Sequence, residues 1–305
     1  MDLGVRLGDL KLKNPLIAAS GVFGYGREYS RVGDIRWFGA VSTKGTTLHP
    51  RAGNPPPRVT ETPSGMLNSI GLENPGIEAV IRHEIPWLSG FGVPIILNAA
   101  GETYDEFAQI ATMAEEVPEV DAIEVNVSCP NVNAGGIAFG IDPRSVYRAT
   151  RAVRQSFSRT VIVKLSPAAV SIRDVARAAE EGGAQAVSLI NTLVGMAIDI
   201  HSKRPVLGNV TGGLSGPAVK PVALRCVWEA AQAVSIPIIG MGGIVSWQDA
   251  VEFLLAGASA LALGSGLLVN PWLPVEILRG LEEYCSQEGI ERIADLTGLA
   301  WKTGR

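Results

Sequence analysis

The sequence predicts an α/β fold, a (β/α)8 TIM barrel with long loop excursions over its C-terminal face, and three observations carry that expectation. Short apolar, β-rich runs recur along the chain, helical stretches alternate with them, and polar residues or glycines stand where the runs end. The eight runs are 15–19, 40–43, 94–98, 122–127, 161–165, 186–191, 237–241 and 260–263. They are near-continuous rather than alternating, as befits parallel strands covered on both faces. Eight strand–helix units with right-handed crossovers close into a barrel of ordinary size, and a doubly wound sheet is the alternative.

The helical stretches follow from spacing. In 105–117, Phe107, Ile110, Ala111 and Ala114 share one stripe, and in 172–182 Val175, Ala176 and Ala179 do the same. Gly182-Gly183 supplies a stop. For 247–256, Ser246 is the candidate N-cap and Gly257 lies past the end. Two connections are long, 46–82 after the second run and 192–216 after the sixth. Loops of that length commonly carry function or small strands of their own, and after barrel strands they cover the catalytic face. No low-complexity linker or break in composition interrupts the chain, so residues 1–305 are expected to form one domain.

Composition excludes several classes. Hydrophobic residues at 47% and charged residues at 18% imply a sizeable core rather than disorder. A net charge of −4 with interspersed signs argues against a nucleic-acid surface, which needs clustered Lys and Arg. No apolar run reaches the roughly 18–20 residues that span a bilayer. The chain opens with no basic stretch leading into an apolar one, so no signal peptide is expected. Cys129, Cys226 and Cys285 are too few and scattered for a disulfide framework or a zinc site. A reduced, cytoplasmic protein is the simplest expectation.

Chemistry concentrates at the ends of the apolar runs. Ser20, Lys44, Asn98, Asn126, Lys164, Asn191 and Ser265 each arrive as a run ends, and in a barrel these positions converge on one pocket. Taken singly, each fits a cap or a satisfied loop amide as well; seven together fit a site better. Gly242-Gly243 follows the seventh run and Gly264-Ser265-Gly266 the eighth. Loops there form the phosphate site of many barrels, where glycine lets exposed backbone N–H groups approach the anion. Tight turns also select glycine, so the pairs point to a phosphorylated ligand without naming it.

Cys129 stands just beyond the fourth run, within Asn126-Val127-Ser128-Cys129-Pro130-Asn131. A thiol there, beside polar neighbours, can act as nucleophile or proton acceptor, and its ordinary pKa of about 8.5 needs only modest tuning. Cys226 and Cys285 read as small buried hydrophobes. His49, His83 and His201 show no metal-ligand spacing. The glycines of 21–26 lack the Gly-x-Gly-x-x-Gly spacing of a dinucleotide fingerprint.

These motifs resemble those of the dihydroorotate dehydrogenases. The match rests on Lys44-Gly45-Thr46-Thr47, Asn68-Ser69-Ile70-Gly71-Leu72-Glu73-Asn74-Pro75-Gly76, the Cys129 stretch, Asn191-Thr192, and Gly213-Leu214-Ser215-Gly216-Pro217-Ala218-Val219-Lys220-Pro221. It runs essentially end to end. The resemblance implies an FMN-binding (β/α)8 barrel that oxidises (S)-dihydroorotate to orotate in pyrimidine biosynthesis. Cys129 would take the proton from C5 while hydride leaves C6 for the flavin N5. Lys44, Asn68, Ser69, Ile70, Gly71, Leu72, Asn126, Asn191 and Thr192 would hold the substrate. Ser20, Lys44, Gly45, Asn98, Asn126, Lys164, Ile190 and Gly216 would contact FMN, with Gly242, Gly243, Gly264 and Ser265 around its phosphate.

Cysteine rather than serine as the base, with no N-terminal extension, resembles the soluble class rather than the membrane-associated, quinone-linked one. Leu48-His49-Pro50-Arg51-Ala52-Gly53-Asn54-Pro55 and the 213–221 stretch resemble the NAD-linked branch called IB. That implies a partner electron-transfer subunit carrying FAD and an iron–sulfur cluster, around a homodimeric core of a heterotetramer. Three dispersed cysteines cannot hold such a cluster in this chain. Asn98-Ala99-Ala100-Gly101 and Gly264-Ser265-Gly266 depart from the family's Asn-Ile-Ser-Gly and Gly-Thr-Ala, small changes beside the implied cofactor. The alternatives are a fumarate-linked class IA enzyme, another FMN-dependent pyrimidine oxidoreductase, and a flavin-free phosphate-binding barrel lyase or isomerase.

Overall fold

The computed structural model describes residues 1–127 and 140–302. Eight parallel strands close into a barrel: β1 (Leu16–Ala18), β2 (Ala40–Ser42), β3 (Ile95–Ala99), β4 (Ala122–Asn126), β5 (Thr160–Lys164), β6 (Ala186–Leu189), β7 (Ile238–Met241) and β8 (Ala260–Leu263). Each pairs with its neighbours in sequence, and β8 returns to β1. Every residue of these strands is buried, which is why the sequence shows unbroken apolar runs rather than alternation.

Helices α1 (Tyr104–Glu115), α2 (Pro143–Ser156), α3 (Ile172–Glu181), α4 (Lys220–Ala231), α5 (Trp247–Ala256) and α6 (Leu273–Glu288) pack outside. Local chemistry starts them. Thr103, Asp142, Ser171 and Ser246 cap α1, α2, α3 and α5 by accepting the N–H three residues on, each such cap contributing about 1 kcal/mol. The α1 stripe buries Phe107, Ile110, Ala111 and Ala114, as the spacing predicts. Gly257 ends α5 at φ 123°, a conformation glycine adopts without strain. No helix among the described residues is long and apolar enough to cross a membrane.

Three details differ from the sequence reading. After β1 there is no full-length helix, only Ser20–Phe23 and the 3-10 turns Tyr29–Arg31 and Ile35–Trp37. Gly24 and Gly26 at φ 63° and 83° break the helical path there. The 46–82 connection ends earlier, since helical structure resumes with Ile77–Ala79 and continues through Val80–Glu84 and Ile85–Ser89. Strand β6 stops at Leu189, leaving Ile190 and Asn191 beyond its end.

The two long connections meet over the barrel. From 46–82 come strands Val59–Thr62 and Gly65–Asn68; from 192–216 come Leu193–Met196 and Thr211–Ser215. They join as one antiparallel sheet, with Thr211–Ser215 paired to Gly65–Asn68. Its edge strands alternate in exposure, the pattern of a sheet with one wet face. At the opposite end, the N-terminal hairpin of Val5–Leu7 and Leu10–Leu12 lies under β5, where Leu7 O accepts from Thr160 Oγ1 at 3.4 Å.

Candidate active site

The strand ends bring most of the sequence-identified side chains into three connected groups. The first is the floor. Asn98 is fully buried; its amide donates to Glu124 Oε2, and its Oδ1 accepts from Asn126 Nδ2 at 3.4 Å. Lys164, also buried, sits 4.0 Å from Glu124 Oε2, with Nζ 3.5 Å from Ser20 Oγ. Glu124 itself is 4% exposed and accepts from Ser42 Oγ at 3.2 Å and Ser188 Oγ at 2.6 Å. One carboxylate thus ties β2, β3, β5 and β6 together from β4. A buried charge is tolerable only with such partners.

Glu124, Ser42 and Ser188 are the functional-end residues that the sequence reading missed. The signal was present: a glutamate in the middle of the apolar run 122–127 is out of place in a strand buried on both faces. Reading only the strand ends passed over it.

The second group is the cover. Lys44 is anchored through its own backbone, donating N–H to Gly24 O at 2.7 Å and accepting from Thr46 Oγ1 at 2.9 Å. Its ammonium stands 3.9 Å from Glu73 Oε2, which Arg58 also pairs at 2.9 Å. A Cβ on Gly45 would lie 3.0 Å from Leu72 Cδ2 and 3.2 Å from Asn98 Oδ1, so Gly45 lies between floor and cover. Gly71 and Leu72 both hold positive φ, 75° and 54°; for Leu72 that is a strained state of about 1–2 kcal/mol. Asn74 holds this turn in place, donating to Leu72 O at 2.7 Å and Thr47 Oγ1 at 2.8 Å. The Ser69 hydroxyl is buried without a hydrogen-bond partner among the described residues. Across the sheet, Asn68 Nδ2 lies 3.4 Å from Gly213 O, and a Cβ on Gly213 would run into Thr192. Thr192 therefore packs on Gly213, the strand partner of Asn68, at the base of the second excursion. Asn191 Oδ1 accepts from Thr192 N at 2.8 Å.

The third group is glycine-built. Gly242 and Gly243 hold φ 123° and 79°, and a side chain on either would meet neighbours at 2.9 Å. Ile190 packs against Gly242, and Gly216 O against Gly243. Over Gly264 the space is open, with Ala19 Cβ at 3.9 Å the one atom within 4 Å. Among the described residues no acceptor takes the N–H of Gly242, Gly243, Gly264 or Ser265. Backbone donors left over at adjacent strand ends can hold an anion such as a phosphate.

Cys129 lies outside the described residues; Asn126 ends β4 on the floor and Val127 follows it. Cys226 and Cys285 are fully buried, and burial pushes both thiols up, in keeping with an inert role. Burial also pushes the Tyr25 phenol up to about 12, so it keeps its proton. No cluster of His, Cys, Asp or Glu among the described residues could hold a metal ion.

The family model described as dihydroorotate dehydrogenase matches residues 2–285. A relative from Thermoanaerobacter pseudethanolicus, the catalytic subunit of dihydroorotate dehydrogenase B (NAD(+)), is 54% identical over 298 residues, 98% of each chain. Relatives of the same description from Desulforudis audaxviator and Geobacillus kaustophilus are each 52% identical; the first covers 98% of both chains, the second 99% of this one and 96% of its own. The chain belongs to the dihydroorotate dehydrogenase family.

Proposed function

We propose that this member of the dihydroorotate dehydrogenase family oxidises (S)-dihydroorotate to orotate, the redox step of de novo pyrimidine biosynthesis, and passes the electrons to NAD through a partner subunit. The observation that carries this reading is the joining of floor, cover and glycine cradle at one end of the barrel. FMN fits that end: the free N–H groups of Gly242, Gly243, Gly264 and Ser265 suit its phosphate, Ile190 and Gly216 pack against Gly242 and Gly243, and Ser20, Asn98, Asn126 and Lys164, linked through the floor, would take its ring system. When bound, FMN supplies the acceptor for the hydride from C6 of the substrate.

The chain's own residues do the rest. Cys129, three residues beyond Asn126 in the sequence, removes the C5 proton. Lys44 pairs with the substrate carboxylate, and its distance from Glu73 lets it turn toward an anion. Asn68, Asn126, Asn191 and Thr192 offer amide and hydroxyl groups to the ring edge, and the buried Ser69 hydroxyl, with backbone from Ile70 to Leu72, closes over it. The sheet above excludes water.

The NAD-linked branch is supported by the names of the relatives, which also make each of them one subunit of a larger enzyme. FAD and an iron–sulfur cluster belong in that partner. Surfaces suited to association exist: Val194, Met196, Ile198 and Ile200 stand 49–78% exposed along the second excursion, and Leu268, Val269 and Trp272 57–88% after β8. A homodimeric core within a heterotetramer uses such faces. The test is an assay of the purified chain for orotate formation with an artificial dye acceptor, then with NAD. Orotate with dye but not with NAD, and with NAD once the electron-transfer subunit is added, is the expected pattern. No orotate with any acceptor would overturn the reading.

A further inference from the structure

We infer that Glu124 is a positioning residue for the flavin end of the pocket, acting through Lys164 to set how strongly the site favours reduced over oxidised FMN. The inference rests on the FMN reading above and adds a residue to it. Glu124 does not stand at a strand end; it lies within β4, two residues before Asn126, and is 4% exposed. Its two oxygens are shared among side chains from four other strands: Ser42, Asn98 and Lys164 at Oε2, and Ser188 at Oε1. Lys164, on the adjacent strand, is itself 6% exposed. A buried ammonium near a flavin favours the anionic reduced form, and a carboxylate 4.0 Å from that ammonium moderates its field.

A wholly structural role would need less than this. Closing a barrel core needs apolar volume, and a buried ion pair is weak evidence of stability because apolar replacements often do as well. The placement is also specific. Two of the groups that Glu124 holds, Asn98 and Lys164, are buried polar groups of the floor, and the network reaches Asn126 and Ser20 through them. Charge, rather than shape, is what Glu124 adds.

Glu124→Gln keeps the size and two polar atoms and removes the charge. It is expected to hold FMN and to bind the reduced form about tenfold more tightly relative to the oxidised form. That ratio is an upward shift of about 30 mV in the two-electron midpoint potential. The same substitution in a Lys164→Met background is expected to leave the ratio unchanged, because the ammonium whose field the carboxylate moderates is no longer there.

The experiment is a double-mutant cycle on flavin-loaded protein, reading the midpoint potential against a reference dye and the dissociation constant of oxidised FMN. An upward shift in the single variant that vanishes in the Lys164→Met background supports the inference. An unchanged or lowered potential with FMN retained overturns it, as does an equal shift in both backgrounds. If Glu124→Gln folds but takes up no FMN, the double variant decides. Binding as tight as in Lys164→Met alone supports coupling through Lys164, and continued loss overturns it. Wild-type protein that takes up no FMN would instead sink the functional reading on which the inference rests.

Discussion

Asn98 and Ser69 are both buried polar residues at the same end of the barrel, and they are held differently. Asn98 accepts from Asn126, donates to Glu124, and fixes its own N–H on Thr43 Oγ1 at 3.1 Å. The Ser69 hydroxyl has no hydrogen-bond partner among the described residues, and two residues on the chain enters the left-handed region at Gly71 and Leu72. The floor is satisfied from within; the cover holds an unpartnered buried hydroxyl, among the described residues, next to a strained turn. An unmade buried hydrogen bond costs about 1–3 kcal/mol, which a substrate group can restore on binding. On the function proposed above, the floor is suited to a resident cofactor and the cover to a transient substrate.

That distinction breaks or sharpens under substitution. The largest effect belongs to the proposed base: Cys129→Ser should keep FMN and lose about 100-fold or more of its turnover at neutral pH, because a hydroxyl is a much weaker base. Steady-state rates with flavin content measured alongside check this, and undiminished turnover would remove Cys129 from the chemistry. Next is the floor. Lys164→Ala should weaken FMN binding about tenfold to a hundredfold, as loss of a charged hydrogen-bond donor does. Fluorescence titration of FMN reads it directly, and unaltered affinity would take Lys164 out of the cofactor site.

A smaller effect is expected in the cover. Asn68→Ala should raise KM for dihydroorotate about three- to tenfold while flavin content stays at the wild-type value. Loss of flavin in that variant would erase the division between floor and cover. The smallest effect concerns the remaining thiols. Burial raises the pKa of Cys226 and Cys285, so both stay protonated and unreactive well above neutrality. Mass spectrometry after native alkylation at mildly alkaline pH should find Cys129 modified and the other two intact. Labelling of either buried thiol at a comparable rate would contradict the packing described around α4 and α6.

Much of this architecture was legible in the residues because barrel strands and capped helices are local in origin. The apolar runs became β1 to β8, and Ser246 with Gly257 bounded α5, since burial on both faces and cap chemistry each leave a mark within a few positions. The glycine pairs were legible for the same reason. The joint sheet over the barrel was not, because pairing of Thr211–Ser215 with Gly65–Asn68 joins segments almost 150 residues apart and depends on the closed barrel beneath. Nor was the meeting of Glu124 with Ser42, Lys164 and Ser188, which comes from four strands whose register no short stretch encodes. Resemblance to the family suggested the roles proposed for Lys44, Cys129 and Asn191; the geometry supplied the neighbours of Lys44 and Asn191.

The account stands or falls on a bound flavin that dihydroorotate reduces. The most direct measurement is the visible spectrum of the purified chain before and after anaerobic addition of dihydroorotate. The predicted result is a yellow protein whose flavin band bleaches on mixing. A protein that stays yellow would contradict the substrate, and one that remains colourless after FMN is supplied would contradict the cofactor site itself.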